Sequence, residues 1–184
     1  MNIWKQLAEE TDGVFTEGYS WNSDSTTIEY KNWKIILDNY TVWSGKYSND
    51  VTRVITPITL IDNFKFEIYT ETTIRKIENF FGGQDIKIGN PDFDNLFTIK
   101  SNNEFKIKSV LKNKELQSIL KDQKDVNIQI SDYKGIWGEK LPENTFELSY
   151  YINGKVDHLK TLNSLISLFK IMLDELSNIN LIVK

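Results

Sequence analysis

Few side chains in this chain are placed to do chemistry. His158 is its single histidine and cysteine is absent. A Ser-His-Asp triad, a histidine-ligated metal or an HExxH zinc helix would therefore each have to pass through one residue. His158 stands beside Asp157 with no HExxH, no GxSxG and no second histidine to join it. At the start of a helix a charged imidazole is also disfavoured by the helix dipole, so His158 reads as a partly exposed structural residue. The missing cysteines remove thiolate nucleophiles, cysteine-ligated zinc and disulfides together.

Asp85, Asp92, Asp94 and Asn95 come nearest to a cation site. A calcium loop needs oxygen ligands at its first, third and fifth positions and glycine at the sixth. Counted from Asp92, Leu96 takes the fifth and Phe97 the sixth, so the pattern fails and a helix cap accounts for the acids. Gly45-Lys46 lacks the upstream glycine and the following Ser or Thr of a phosphate loop, and Gly82-Gly83 precedes no sustained helix; both read as turns. No metal and no cofactor is implied. A hydrolase using two carboxylates stays open, because 26 acids are present and only three-dimensional placement selects a pair.

The aromatic residues are the feature left. Tyr30, Trp33, Tyr40, Trp43 and Tyr47 fall close together, with Trp21 upstream. Rings near loops can stack on sugars or bases or anchor a protein partner, whereas inside a sheet they fill a core. Trp21, Trp33, Tyr40, Trp43 and Tyr47 are the candidate ligand- or partner-binding residues. Nucleic acid is disfavoured, since the segment lacks interleaved Lys and Arg. The net charge is −4, and the one basic stretch, residues 100–124, carries seven lysines against three acids; it reads as a solvated helix face.

These residues must be held by a frame that the pattern partly reveals. Asn2 to Thr11 reads as a helix with Ile3, Trp4, Leu7 and Ala8 on its apolar side, stopped by Gly13. Val14 to Glu17 is a short strand. Thr26–Tyr30 and Trp33–Leu37 flank Lys31-Asn32 at hairpin spacing. Val51–Ile58 is a strand in which Pro57 argues for an edge or an end. Asp62-Asn63 suits a second hairpin turn, after which Phe64, Phe66 and Ile68 alternate with Lys65, Glu67 and Tyr69 as in a strand with one face buried. Thr73 to Phe81 reads as a short helix. Asn90-Pro91 followed by two acids is a helix start, and Phe97 and Ile99 mark a strand. Two helical pieces meet near Asn113. Val126–Ile130 and Phe146–Ile152 are strands, and Asn153-Gly154 turns the chain into a last helix from Asp157 to Ser177, capped by Asp157. Leu168 and Ile171 make that helix's apolar stripe broader than a surface helix needs.

The run Gly89-Asn90-Pro91-Asp92-Phe93-Asp94-Asn95-Leu96-Phe97 resembles uncharacterised bacterial domains with a Gly-Asp-Pro-x-Phe-Asp-x-x-Phe run and a long C-terminal helix. Asn90 and Asp92 stand where such domains carry Asp and Glu, and both substitutions keep capping chemistry. The resemblance implies a fold and no activity.

The sequence thus points to an α+β fold across residues 1–184 as a single domain: a mainly antiparallel, twisted sheet with the N-terminal and long C-terminal helices packed on it. The alternative is a tubby-like barrel around the C-terminal helix. The favoured function is a non-catalytic protein-interaction module of a bacterial cytoplasmic protein, with another protein as partner and no nucleic acid. The alternatives are a small-molecule or lipid binder using the space between sheet and last helix, and the carboxylate-dependent hydrolase. No apolar run approaches the ~20 residues that span a bilayer, and the amphipathic, acidic N-terminus is unlike a signal peptide.

Overall fold

The structure, a computed structural model, describes residues 2–20, 22–71, 85–133 and 139–184. The helix expected at Thr73 to Phe81, with its Gly82-Gly83 stop, lies outside them.

The first helix, α1 (Ile3–Thr11), starts where Asn2 accepts a hydrogen bond from the Trp4 amide at 2.9 Å, satisfying one donor that a helix start leaves free. It buries Trp4, Leu7 and Ala8. Its end is set by Asp12, which takes the left-handed conformation (φ 53°). Gly13 is needed for another reason: a Cβ there would sit 2.9 Å from the Thr27 carbonyl oxygen. The close approach lets the chain run directly into β1 (Val14–Thr16) against β2 (Ser25–Tyr30).

Eight strands form one open antiparallel sheet in the order β1-β2-β3-β4-β8-β7-β5-β6. The others are β3 (Trp33–Ser44), β4 (Tyr47–Ile58), β5 (Phe66–Tyr69), β6 (Thr98–Ser101), β7 (Asn127–Ser131) and β8 (Phe146–Asn153). Lys31-Asn32 makes the expected hairpin, Tyr30 facing Trp33. A single row of residues crosses the inner face: Thr26, Leu37, Val54, Tyr150, Ile128, Ile68 and Ile99 are successive register partners. Every one of them is fully buried, so register here is fixed by burial: a one-residue slip would send the whole apolar set outward.

Two sequence expectations change. Asp62-Asn63 is not a hairpin turn: β5 pairs with β6 and β7 and makes no ladder with β4. Asp62 instead accepts the Phe64 amide at 3.1 Å as the chain crosses to the far side of the sheet. Nor is β5 one-faced, since Glu67 and Tyr69 are buried as well as Phe66 and Ile68. Pro57 stands at a strand end rather than an edge: β4 is interior, but its pairing with β3 stops at Ile55.

On the inner face lie α2 (Pro91–Leu96), α3 (Glu104–Val110), α4 (Lys114–Asp122) and α5 (Leu159–Asn178). Asn90 and Asn113 cap α2 and α4 as their positions suggest. Asp157 does not cap α5; His158 holds that position without a side-chain bond and pairs with Asp157 at 3.1 Å on the exposed surface. The broad stripe of α5 is explained without a barrel. The sheet covers one side, and α1, α3 and α4 pack against it from others. The sheet is open, with β1 and β6 as its two edges, so the barrel alternative is set aside.

Candidate functional site

β3 and β4 are longer than the sheet that holds them. β2 pairs with β3 only as far as Asp38, and β8 pairs with β4 only from Thr52 onward. The remaining stretches, Asn39–Ser44 and Tyr47–Val51, continue to pair with each other up to a two-residue turn at Gly45-Lys46, with Gly45 at φ 59°. They form a two-stranded arm projecting past the sheet.

A bare ribbon is marginal in water, and the base of this one is clamped. Arg53 donates from Nε and Nη2 to the two Asp38 carboxylate oxygens at 2.6 and 2.8 Å. Both side chains are mostly buried, 14% and 13% exposed. Burial works against the charged guanidinium, but the Asp38 carboxylate outweighs it and raises the Arg53 pKa. The guanidinium also lies 4.9 Å from the Tyr40 ring centre, a cation–π contact. Val51 and Tyr151 are buried beneath Tyr40 in a small apolar cluster on the outer face, and burial pushes the Tyr151 phenol well above its ordinary range.

The two edges of the arm differ. On the β4 side the Gly154 amide donates to the Asp50 carbonyl at 2.8 Å, and Lys155 reaches the Asp50 carboxylate at 3.3 Å. That carboxyl is held below its ordinary value by the Thr41 hydroxyl and by Lys155. On the β3 side the two-residue turns set which backbone groups face out. Tyr30 pairs with Trp33 and Ser44 with Tyr47 across such turns, so odd-numbered β3 residues direct N–H and C=O toward β2 and even-numbered ones toward β4. Asn39 obeys this: both its backbone groups meet Ser23, the hydroxyl donating at 2.6 Å and the amide at 3.2 Å. Beyond Ser23 the next outward groups belong to Thr41 and Trp43, and among the described residues no backbone group bonds them.

A groove of about 690 Å³ lies at the base of the arm, bordered by Ser20, Asn22 and Ser23 and reaching across to Asp50 and Lys155 on the β4 side. Asn22, Asp38, Tyr40, Trp43, Asp50 and Arg53 are among its walls.

The structure divides the sequence candidates. Trp33 is 7% exposed and packs in the main core. Tyr40 is half-buried under Arg53. Trp43 and Tyr47 are 70% and 81% exposed, both on the arm. Tyr40, Trp43 and Tyr47 are thus brought together on one projecting element, and Trp21 lies outside the described residues. Tyr30 is structural, its hydroxyl donating to Asp174 of α5 at 2.8 Å. Sequence reading missed Asp38, Arg53 and the arm itself; the Gly45-Lys46 turn between β-branched and aromatic residues was the available signal.

The other candidates resolve into structure. Asp94 accepts the amides of Ile88 and Gly89 at 2.9 and 3.0 Å, closing the Gly89–Asn90 turn, and Asp85 pairs with Lys100 at 2.6 Å. Among the described residues no cluster of His and acids is placed to hold a metal. Asp38 and Asp50 both line the groove, but one is engaged on both oxygens by Arg53 and the other is held ionised. A glycosidase acid needs a raised carboxyl pKa, unlike that of Asp50. On α5, Leu162, Leu165, Leu168, Phe169, Met172 and Leu173 are all fully buried.

No protein-family model and no curated protein matches the chain. Its fold is similar to that in the crystal structure of the mycobacterial trehalose monomycolate transport factor A, TtfA, with a TM-score of 0.53 over 94% of this chain and 91% of that one. Sequence identity is 8%, so the likeness concerns the fold alone. Among the described residues no helix is long and apolar enough to cross a membrane.

Proposed function

We propose that the chain is a non-catalytic protein-interaction module whose contact surface is the β3–β4 arm. The observation that carries this reading is the exposure of Trp43 and Tyr47 on an arm held at its base. Rigid aromatic side chains lose little conformational freedom on docking, and Trp and Tyr are enriched among the residues that dominate binding energy. The test is affinity capture under crosslinking from cells that make the protein naturally, using the native chain and a Trp43→Ala/Tyr47→Ala variant. Partners retained by the native chain and lost by the variant support the reading. Equal capture by both, or none by the native chain, overturns it.

A second reading, binding of a lipid or other small molecule, is supported by the fold shared with a protein named as a trehalose monomycolate transport factor. Such a ligand would occupy the groove at the arm's base. Native mass spectrometry of protein purified without refolding separates the two: a species above the 21.5 kDa chain mass by a small-molecule increment favours the ligand, and a bare chain counts against it.

A further inference from the structure

We infer that the free edge of β3 is a docking track, and that its occupant is an extended segment of a partner protein that adds to the sheet as a strand where β2 leaves off. This rests on the interaction-module reading and specifies its mode. Strand addition needs an edge with unpaired backbone groups, room beside it, and no device that repels a newcomer.

The other edges of the sheet are poor tracks. β1 is three residues long. The outer edge of β6 is occupied where the Ile86 amide donates to the Ile99 carbonyl at 2.9 Å. The β4 side of the arm is closed at Asp50 by Gly154 and Lys155. The β3 side is different. From Asn39 to Ser44 the sequence is Asn-Tyr-Thr-Val-Trp-Ser, with no proline, glycine or charge, so the usual means of blunting an edge are missing while the residue types favour strand pairing. Thr41 and Trp43 turn their N–H and C=O groups outward there. A pairing strand sits about 4.8 Å from its neighbour, and the groove of about 690 Å³ borders that side at Asn39, Thr41 and Trp43.

Charge selects the occupant. The basic and acidic side chains at the groove pair internally, Arg53 with Asp38 and Lys155 with Asp50. A strongly acidic or basic segment therefore gains nothing there. An uncharged extended segment gains the backbone ladder, and an apolar side chain on it gains the exposed Trp43 ring.

Thr41→Pro isolates the backbone term. The Thr41 amide faces away from β4, so proline removes one outward donor without breaking the β3–β4 ladder, as edge positions allow. Thr41→Ala is the matched control, because both variants lose the Thr41 hydroxyl bond to Asp50 at 2.9 Å. The probe is a phage-displayed library of short random linear peptides panned on the whole chain, with the best binder synthesised. The expected result is slowed hydrogen exchange at the Thr41 and Trp43 amides of the native chain on peptide binding, and affinity weaker by about tenfold or more in Thr41→Pro than in Thr41→Ala. The exchange measurement uses the native chain and so stands even where the proline variant folds poorly.

Peptides that protect other amides, equal affinity for the two variants, or a library that yields no binder would each overturn strand addition. Protection of the same amides without peptide, in a dimer that Thr41→Pro dissolves, would make a second copy the occupant and overturn the partner assignment. Capture that depends on Trp43 and Tyr47 but not on the Thr41 amide would overturn this mode while leaving the module reading intact.

Discussion

Removal of the Asp38 carboxylate is the most informative perturbation of the arm. The Arg53 guanidinium is 14% exposed and donates two hydrogen bonds to this one partner. Breaking a buried pair by deleting one member costs about 3–5 kcal/mol, because a desolvated charge is left behind. Two features lower that figure: the Tyr40 face stays beneath the guanidinium, and Glu147 still acts on it electrostatically. Asp38→Ala should therefore lose about 2–3 kcal/mol, at or just below the lower bound for a broken buried pair. For a chain of this length that is a fall in Tm of roughly 5–10 °C. Arg53→Met removes the charge along with its partner's need for it, so the Asp38→Ala/Arg53→Met double variant should cost less than the sum of the two singles by about 1 kcal/mol or more. Urea unfolding with constant m-values is the assay. A loss under about 0.5 kcal/mol for Asp38→Ala, the usual range for surface changes, or strict additivity in the cycle, would refute the clamp.

Three further outcomes follow from the same geometry. Leu168→Ala, on the fully buried side of α5, should cost about 2–5 kcal/mol, whereas Leu96→Ala, 53% exposed, should stay within about 0.5 kcal/mol; equal losses in thermal unfolding would contradict the covered-helix description. Asn90→Ala removes the α2 cap and the bond from its side-chain amide to Gln117 at 2.8 Å, and should cost about 1–2 kcal/mol in denaturant; a neutral result would mean the Asn90-Pro91 start is not capped as described. Asp50 has a folded-state pKa lowered from 3.8, so its stabilisation is present above that value and is lost as the pH falls below it toward the folded value. NMR order parameters of the arm amides should drop relative to the central sheet as the pH falls through that window, and Asp50→Asn should abolish the pH dependence; a variant that titrates like the native chain would assign the effect elsewhere.

Several local signals were legible because they need no tertiary information, although the Asp157 cap and the Asp62-Asn63 hairpin were not among them. Asn90-Pro91 and Lys31-Asn32 each determine their own backbone through a cap or a tight turn and stand where expected, and Asn113 falls at the expected junction of two helices. Two kinds of feature escaped. The place of β5 is a long-range property: Phe66–Tyr69 pairs with residues 29 or more positions further along, and no turn at Asp62-Asn63 encodes that. The arm escaped because alternating polarity arises only where one face is buried. Beyond Asp38 most of the arm's described side chains are exposed, so the strand pattern faded at Leu37 although the ladder runs on to Ser44. The same boundary separates the tryptophans: Trp33 lies over the core and is filler, while Trp43 lies past the edge of β2 and stays in water.

The central claim is that the arm is where a protein partner docks. It is tested most directly by site-specific photo-crosslinking in the native cell, with a benzophenone amino acid replacing Trp43 in one strain and Phe105, an equally exposed ring on α3 (79%), in another. The account predicts a discrete adduct of higher mass from position 43 and none from position 105. An adduct common to both positions, or one formed only from position 105, would contradict it.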